Sequence, residues 1–347
     1  MKVLHGMSEV AGQGIYAVLG LQANGINANM AVWRRNPMNY PVDIDLKIDR
    51  KNKMRMPFYA LKMGGFALKA MLKYDVVHSH FGYSLLPFGI DLPFLSRLNK
   101  KLFVEFHGSD IRFIFKDIKY KYYRVGPPED SIRTKMQTRI RKLLAHADGV
   151  ILHDAELLQH LPDIDIPVYI VPLRVDICKF DPVYPDMHKN KPIIVHAPSR
   201  RSTKGTEEIL EALKRVSGDY ELILVEGKTQ EEAIQIYKNA DIIIDQVAIG
   251  TYGVFAIEAM ALGKPVITYI SDEMRKTLPE DLPIVSADFD TLPQVIDSLL
   301  NNGEKRNVLG KEGRRYVERY HDNKKVAAYL AQIYEENIDE TDIFKLL

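Results

Sequence analysis

Between Val254 and Leu262 every residue is apolar except Glu258. Such a run predicts a helix buried all round, with Gly263 placed to end it. A carboxylate there is costly unless donors meet it. A vicinal diol such as a ribose is a suitable bidentate donor, and local backbone or side-chain bonds are the competing explanation. Gly253, just before the helix, permits close approach of a phosphate to the first helical amides. A second stretch, His196-Ala-Pro-Ser-Arg-Arg-Ser-Thr-Lys-Gly-Thr-Glu-Glu, follows a buried strand and runs into a helix. Its cations Arg200, Arg201 and Lys204 could neutralise a diphosphate, or form no more than a solvated basic loop. The Gly-x-x-x-x-Gly-Lys-Ser/Thr spacing of a P-loop is absent.

The strand Leu102 to Phe106 ends in His107-Gly108. A histidine at a strand's carboxyl end is placed to hydrogen-bond a substrate or move a proton, against the blander reading of a satisfied loop histidine. His78 and His80 flank Ser79 at the end of another strand, but no carboxylate or cysteine stands at ligand spacing, so no metal site is expected. The N-terminal loop Gly6-Met-Ser-Glu-Val-Ala-Gly-Gln-Gly lacks Gly-x-Gly-x-x-Gly, which argues against a nicotinamide dinucleotide. Gly12 and Gly14 still allow backbone to approach a phosphate.

The elements that must position these residues alternate. Short β-branched runs at Lys2 to His5, Ala28 to Trp33, Asp75 to Ser79, Leu102 to Phe106, Gly149 to His153 and Pro167 to Val171 predict strands separated by helical stretches. Pro192 to Ala197, Tyr220 to Val225, Asp241 to Asp245 and Val266 to Ile270 repeat the pattern. This predicts two doubly wound α/β domains with parallel sheets, residues 1–172 and 192–347, joined by a proline-rich linker 173–191. A terminal helix after Lys305 is able to pack back on the first domain. Ligands of such sheets bind beyond the carboxyl ends of the strands, which points to a cleft between the domains.

With 347 residues, 46% hydrophobic and 27% charged, the chain has material for two buried cores. Its single cysteine, Cys178, excludes an internal disulfide and fits a reducing, cytoplasmic compartment. No apolar run reaches the length of a membrane span, and none at the N-terminus forms a signal-peptide core. The net charge of +1 hides an asymmetry: 24 Lys/Arg against 12 Asp/Glu in residues 1–150, and 23 against 34 in residues 151–347. A basic first half suits an anionic partner, either a phosphate-bearing ligand or a membrane surface. The aromatic spacings of nucleic-acid modules are missing, so no nucleic acid is expected. Pro57 to Tyr74 is apolar apart from Lys62, Lys69 and Lys73, which share one helical face, and Lys47, Arg50, Lys51, Lys53 and Arg55 lead into it. That pattern fits peripheral contact with the inner face of a membrane, or an ordinary covering helix with solvated lysines.

Taken together, the Gly12-Gln13-Gly14 loop, His107-Gly108-Ser109-Asp110, Val175-Asp176 with Phe180, Lys204-Gly205, and Glu258-Ala-Met-Ala-Leu-Gly-Lys-Pro-Val resemble the family 4-type GT-B glycosyltransferases of bacterial polysaccharide and envelope synthesis. The resemblance implies two Rossmann-like domains and a retaining, metal-independent transfer of a sugar from a nucleotide diphosphate sugar. The donor, UDP- or GDP-linked, would sit on the second domain, and a glycan or lipid-linked acceptor on the first. It also implies roles. Lys204 with Arg200 or Arg201 holds the diphosphate, Glu258 the ribose, and His107 meets the transferred sugar and acceptor, with no cofactor. Three positions depart from the family pattern: Gly250 stands where a glutamate is usual, Leu173-Arg174 replaces Asn-Gly, and Gln13 breaks a double glycine. Another GT-B enzyme, an epimerase or a phosphorylase, is one alternative. A degenerate, non-catalytic GT-B binding protein is the other.

Overall fold

A computed structural model describes residues 1–49 and 51–347; Arg50 lies outside the described residues. The chain divides into two compact units, one of residues 1–118, 127–174 and 323–347, the other of residues 119–126 and 175–322.

The first unit is built on a seven-stranded sheet: β1 (Lys2–Met7), β2 (Asn27–Val32), β3 (Ile44–Asp45), β4 (Val76–His80), β5 (Lys101–Glu105), β6 (Gly149–Leu152) and β7 (Val168–Ile170). Their spatial order is β3-β2-β1-β4-β5-β6-β7, and every pairing is parallel. The second unit carries a parallel five-stranded sheet, β12-β11-β10-β8-β9, from β8 (Ile193–His196), β9 (Glu221–Leu224), β10 (Ile242–Ile244), β11 (Val266–Thr268) and β12 (Val285–Ser286). All-parallel strands need crossover helices, so both sheet faces are covered and central strands are apolar on each side, as Ile242, Ile243 and Ile244 are. The doubly wound α/β class expected from the alternation is therefore present in both units. The strands absent from the sequence reading are β3 and β12, two-residue edge strands too short to carry any periodicity.

Relative to the ranges 1–172 and 192–347, two segments change places. Residues 119–126 group with the second unit because Tyr122 packs against Tyr269 and Phe289 and donates to Asp288 at 2.8 Å. Residues 323–347 group with the first, where the helix Asn323–Glu335 lies on the helix Gln13–Ala23. Asn323 donates to the Tyr16 carbonyl at 3.1 Å, and a Cβ on Gly20 would overlap Asn323 and Ala327. Glycine at position 20 is thus a close-packing requirement.

Candidate functional site

In the second unit the chain leaves β8 at His196, which is locked by contacts to the Ile244 carbonyl and to Thr206, each at 2.8 Å. Those contacts fix the loop after β8 against β10. A short helix, Arg201–Lys204, ends at Gly205, whose φ of 71° is left-handed and suits glycine. The Lys204 ammonium then reaches Asp245 Oδ1 at 2.6 Å and Gln246 Oε1 at 3.2 Å, just past the end of β10. The other Asp245 oxygen accepts from the Gly253 amide at 3.3 Å. Gly253 opens the helix Val254–Ala261 with no side-chain cap. A Cβ built there would approach Lys204 Nζ only to 3.6 Å. The fold itself has room for a side chain, so this glycine leaves the approach to the helix amides and Lys204 clear.

From Ala256 onward the helix is buried as expected, while Val254 and Phe255 at its start are partly exposed, and Gly263, at φ 73°, follows it. Glu258 is 6% exposed and accepts a 2.6 Å bond from Gln230. Burial pushes its carboxyl up to about 7, against the opposing effects of that bond and of the Lys179 charge. Among the expected diphosphate cations the structure separates two kinds. Arg201 bonds Glu207 at 2.8 Å and Glu226 at 3.2 Å, whereas Arg200 is exposed and its side chain makes no hydrogen bond or ion pair among the described residues. Gly250, the position of the missing glutamate, has φ 96°, and a Cβ there would come within 3.0 Å of the Ser271 Cβ. A glutamate is disfavoured by this backbone.

In the first unit, Gly12 and Gly14 precede and enter the helix Gln13–Ala23, and each is needed for a different reason. Gly12 adopts φ 82°, while a Cβ on Gly14 would lie 2.6 Å from the Met30 sulfur. The helix amides here already face an anion belonging to the chain. Glu9 Oε2 accepts from the Ile15 amide at 2.9 Å. Burial raises the Glu9 carboxyl to about 7 in spite of backbone bonds from Ile15, Gly14 and Gly12. A phosphate at these glycines would compete with Glu9.

His107 follows β5. Its amide donates to Asp110 at 2.9 Å, and its Nε2 lies 3.0 Å from His80 Nδ1. Burial lowers its pKa to about 3, against the pull of Glu105, so the ring is neutral. The carboxylate absent from the sequence spacing of His78 and His80 comes from the next strand: β4 and β5 pair His80 with Glu105. Two sets of ligand atoms, His5/His78/His80 and His80/Glu105/His107, are close enough to hold a metal. Glu105, however, already accepts from Arg174 at 2.6 and 2.7 Å, and burial, which would raise its pKa, is outweighed by Arg174 and His78 so that it stays ionised. That fixed guanidinium disfavours a second cation beside it.

Arg174 and Gln13, two departures from the family pattern, meet in space. The Gln13 amide exchanges bonds of 3.1 and 3.0 Å with the Arg174 backbone, and Arg174 Nε donates to the Gln13 carbonyl at 3.0 Å. They replace glycines with a buried polar network reaching Glu105. Sequence reasoning missed Gln230, Glu9, Glu105 and Tyr334, whose significance lies in partners far along the chain.

Residues 221–316 match a family model described as glycosyl transferases group 1. No curated protein matches the chain in sequence. Sucrose-phosphate synthase from Thermosynechococcus elongatus superposes with a TM-score of 0.69 at 18% identity, covering 97% of this chain and 99% of that one. Anabaena HepE in complex with UDP-glucose gives 0.66 at 13%, with coverage of 97% and 100%. A putative UDP-N-acetylglucosamine 2-epimerase from Listeria monocytogenes gives 0.56 at 16%, covering 98% of each. Asp245, Gln246, Gly253 and Glu258 all fall inside the stretch that matches the group 1 glycosyl transferase model, and the chain as a whole has the GT-B fold.

Proposed function

We propose that the protein is a retaining glycosyltransferase that moves a hexose-type sugar from a nucleotide diphosphate sugar to a glycan or lipid-linked acceptor. The observation carrying this reading is the Lys204 ammonium beside the uncapped amide end of the helix that bears Glu258. A cation and helix amides next to a glycine suit a diphosphate, and a buried carboxylate one turn further suits a ribose diol. Lys204 carries three N–H groups and can keep Asp245 while donating to phosphate. Arg200, whose guanidinium has no partner among the described residues, is the second cation in preference to Arg201. HepE's complex with UDP-glucose favours UDP over GDP.

In the reaction the acceptor oxygen bonds to the anomeric carbon as the bond from that carbon to the diphosphate breaks, and the acceptor proton passes to the leaving phosphate. No enzyme nucleophile or metal is required, and catalysis rests on positioning and on cations at the departing diphosphate. His107, neutral and half-buried, hydrogen-bonds a sugar or acceptor hydroxyl. A mass-spectrometric assay of UDP release from a UDP-sugar panel, with and without candidate acceptors, tests the reading. Acceptor-dependent UDP release supports it. UDP-sugar isomerised with no acceptor would favour the epimerase reading that the Listeria neighbour's fold permits, and no turnover with intact binding the non-catalytic one.

The first unit also docks, in this reading, on an anionic membrane surface. The helix Met56–Lys73 buries Tyr59, Met63, Ala67, Ala70 and Met71, while Phe58, Leu61, Leu68 and Leu72 are exposed in a stripe bordered by exposed Lys62, Lys69 and Lys73. A covering helix needs only the first face. An apolar outer stripe edged by lysines supports shallow insertion, each lysine adding about 1 kcal/mol near anionic lipid. No helix among the described residues is long and apolar enough to cross a membrane.

A further inference from the structure

Four histidines of the first unit stack in a row. Ring centroids are 4.3 Å apart for His5 and His78, 4.7 Å for His78 and His80, and 5.3 Å for His80 and His107. Their nitrogens are joined through Tyr334 into one path. His107 Nε2 lies 3.0 Å from His80 Nδ1, His80 Nε2 2.9 Å from His5 Nδ1, and His5 Nε2 3.2 Å from the Tyr334 hydroxyl. The hydroxyl lies 2.5 Å from His78 Nδ1, and His78 Nε2 lies 2.9 Å from Glu105 Oε2, off the line of the ring N–H. His5, His78 and His80 are fully buried.

A neutral imidazole carries one N–H and one lone pair, so fixing either end of this path fixes all of it. Arg174 fixes the Glu105 end by holding that carboxylate ionised, hence an acceptor only. We infer that Arg174 and Glu105, acting through His78, Tyr334, His5 and His80, lock His107 as the Nε2–H tautomer and leave its Nδ1 lone pair free. The steps follow in order. Glu105 Oε2 lies 2.9 Å from His78 Nε2, and although it is off the ring N–H line, a carboxylate this close attracts a proton on that nitrogen and repels a lone pair, so Nε2 carries the proton and Nδ1 accepts from Tyr334. Having one proton, Tyr334 must accept from His5 Nε2, which leaves His5 Nδ1 to accept from His80 Nε2. His80 Nδ1 then accepts from His107 Nε2. Its other acidic neighbour, Glu105 Oε2, is 3.6 Å away, beyond hydrogen-bond reach. Burial lowers the pKa of all four rings, so none is doubly protonated near neutral pH.

The free Nδ1 makes no hydrogen bond among the described residues, and His107 is the partly exposed end of the row. Resting on the glycosyltransferase reading, this makes His107 an acceptor of a hydrogen bond from a sugar or acceptor hydroxyl, with the other six as positioning residues. The tautomers themselves stand independently of that reading.

Long-range 1H–15N NMR of the full chain with 15N-labelled histidine, assigned with His80→Gln and His107→Gln, tests the lock without any substrate. The expected spectrum has His5, His78, His80 and His107 all as Nε2–H. Tyr334→Phe cuts the path, so His78 should stay Nε2–H while the Nε2–H share of His107 falls. An Nδ1–H signal from His80 or His107 in the native protein would overturn the inference. So would an unchanged His107 in a folded Tyr334→Phe chain, or stoichiometric zinc that survives EDTA dialysis and is lost in His80→Gln.

Discussion

Glu258→Gln separates a carboxylate kept for a ligand from one kept for the fold. Buried in its helix, Glu258 has its pKa raised from 4.5 to about 7. Because the folded-state value lies above the unfolded one, ionisation works against folding: the penalty begins near the unfolded pKa and is complete once pH passes the folded one. Its limit is the shift of about 2.5 units at about 1.4 kcal/mol each, or about 3 kcal/mol. Glutamine does not titrate, and its carbonyl can still accept from Gln230. The variant should therefore be more stable than the native chain by about 3 kcal/mol near pH 8, with the gap closing to below about 0.5 kcal/mol near pH 4.5. Paired urea unfolding across pH measures it. The same variant should bind UDP about 30-fold more weakly, since an amide cannot accept from both ribose hydroxyls; this corresponds to about 2 kcal/mol. A variant destabilised at every pH, with unchanged UDP affinity, would refute the reasoning and make Glu258 a structural residue.

His107→Ala should leave UDP affinity unchanged and lower transfer by about 100-fold, as steady-state kinetics would report, and native turnover should persist in EDTA. Changing Lys62, Lys69 and Lys73 together to Glu should abolish flotation with anionic liposomes at low salt while leaving binding to neutral liposomes unaltered; equal recovery on both would leave only the covering-helix reading. Glu9→Gln should stabilise the chain above about pH 7 for the same reason as Glu258→Gln, because burial raises this carboxyl to about 7 as well; thermal unfolding at about pH 5 and 8 checks it.

The alternating strands were legible because parallel strands buried on both faces are near-continuous apolar runs, and the helix Val254–Ala261 announced itself by being apolar around a single glutamate. What sequence reading could not supply was pairing across distance. Gln13 and Arg174 register as two separate breaks in a family pattern, yet they are one network joined across 161 positions. His78 and His80 lack a carboxylate by spacing because Glu105 arrives laterally, from the neighbouring strand. Tyr334 reads as one apolar position of a terminal helix, and only the return of that helix to the first unit brings it to His5 and His78. Arg200 and Arg201 are alike in sequence, and the acidic partners that occupy Arg201 come from Glu207 and Glu226, elements that only folding assembles.

Calorimetric titration of UDP into the native chain and into Lys204→Ala tests the central claim, that the amide end of the Glu258 helix and Lys204 together hold a nucleoside diphosphate. The account predicts saturable one-to-one binding that weakens about 30-fold, or about 2 kcal/mol, when the ammonium is removed, with GDP binding less tightly than UDP. Equal affinity for UDP in both proteins, or no UDP binding by the native chain, would contradict it.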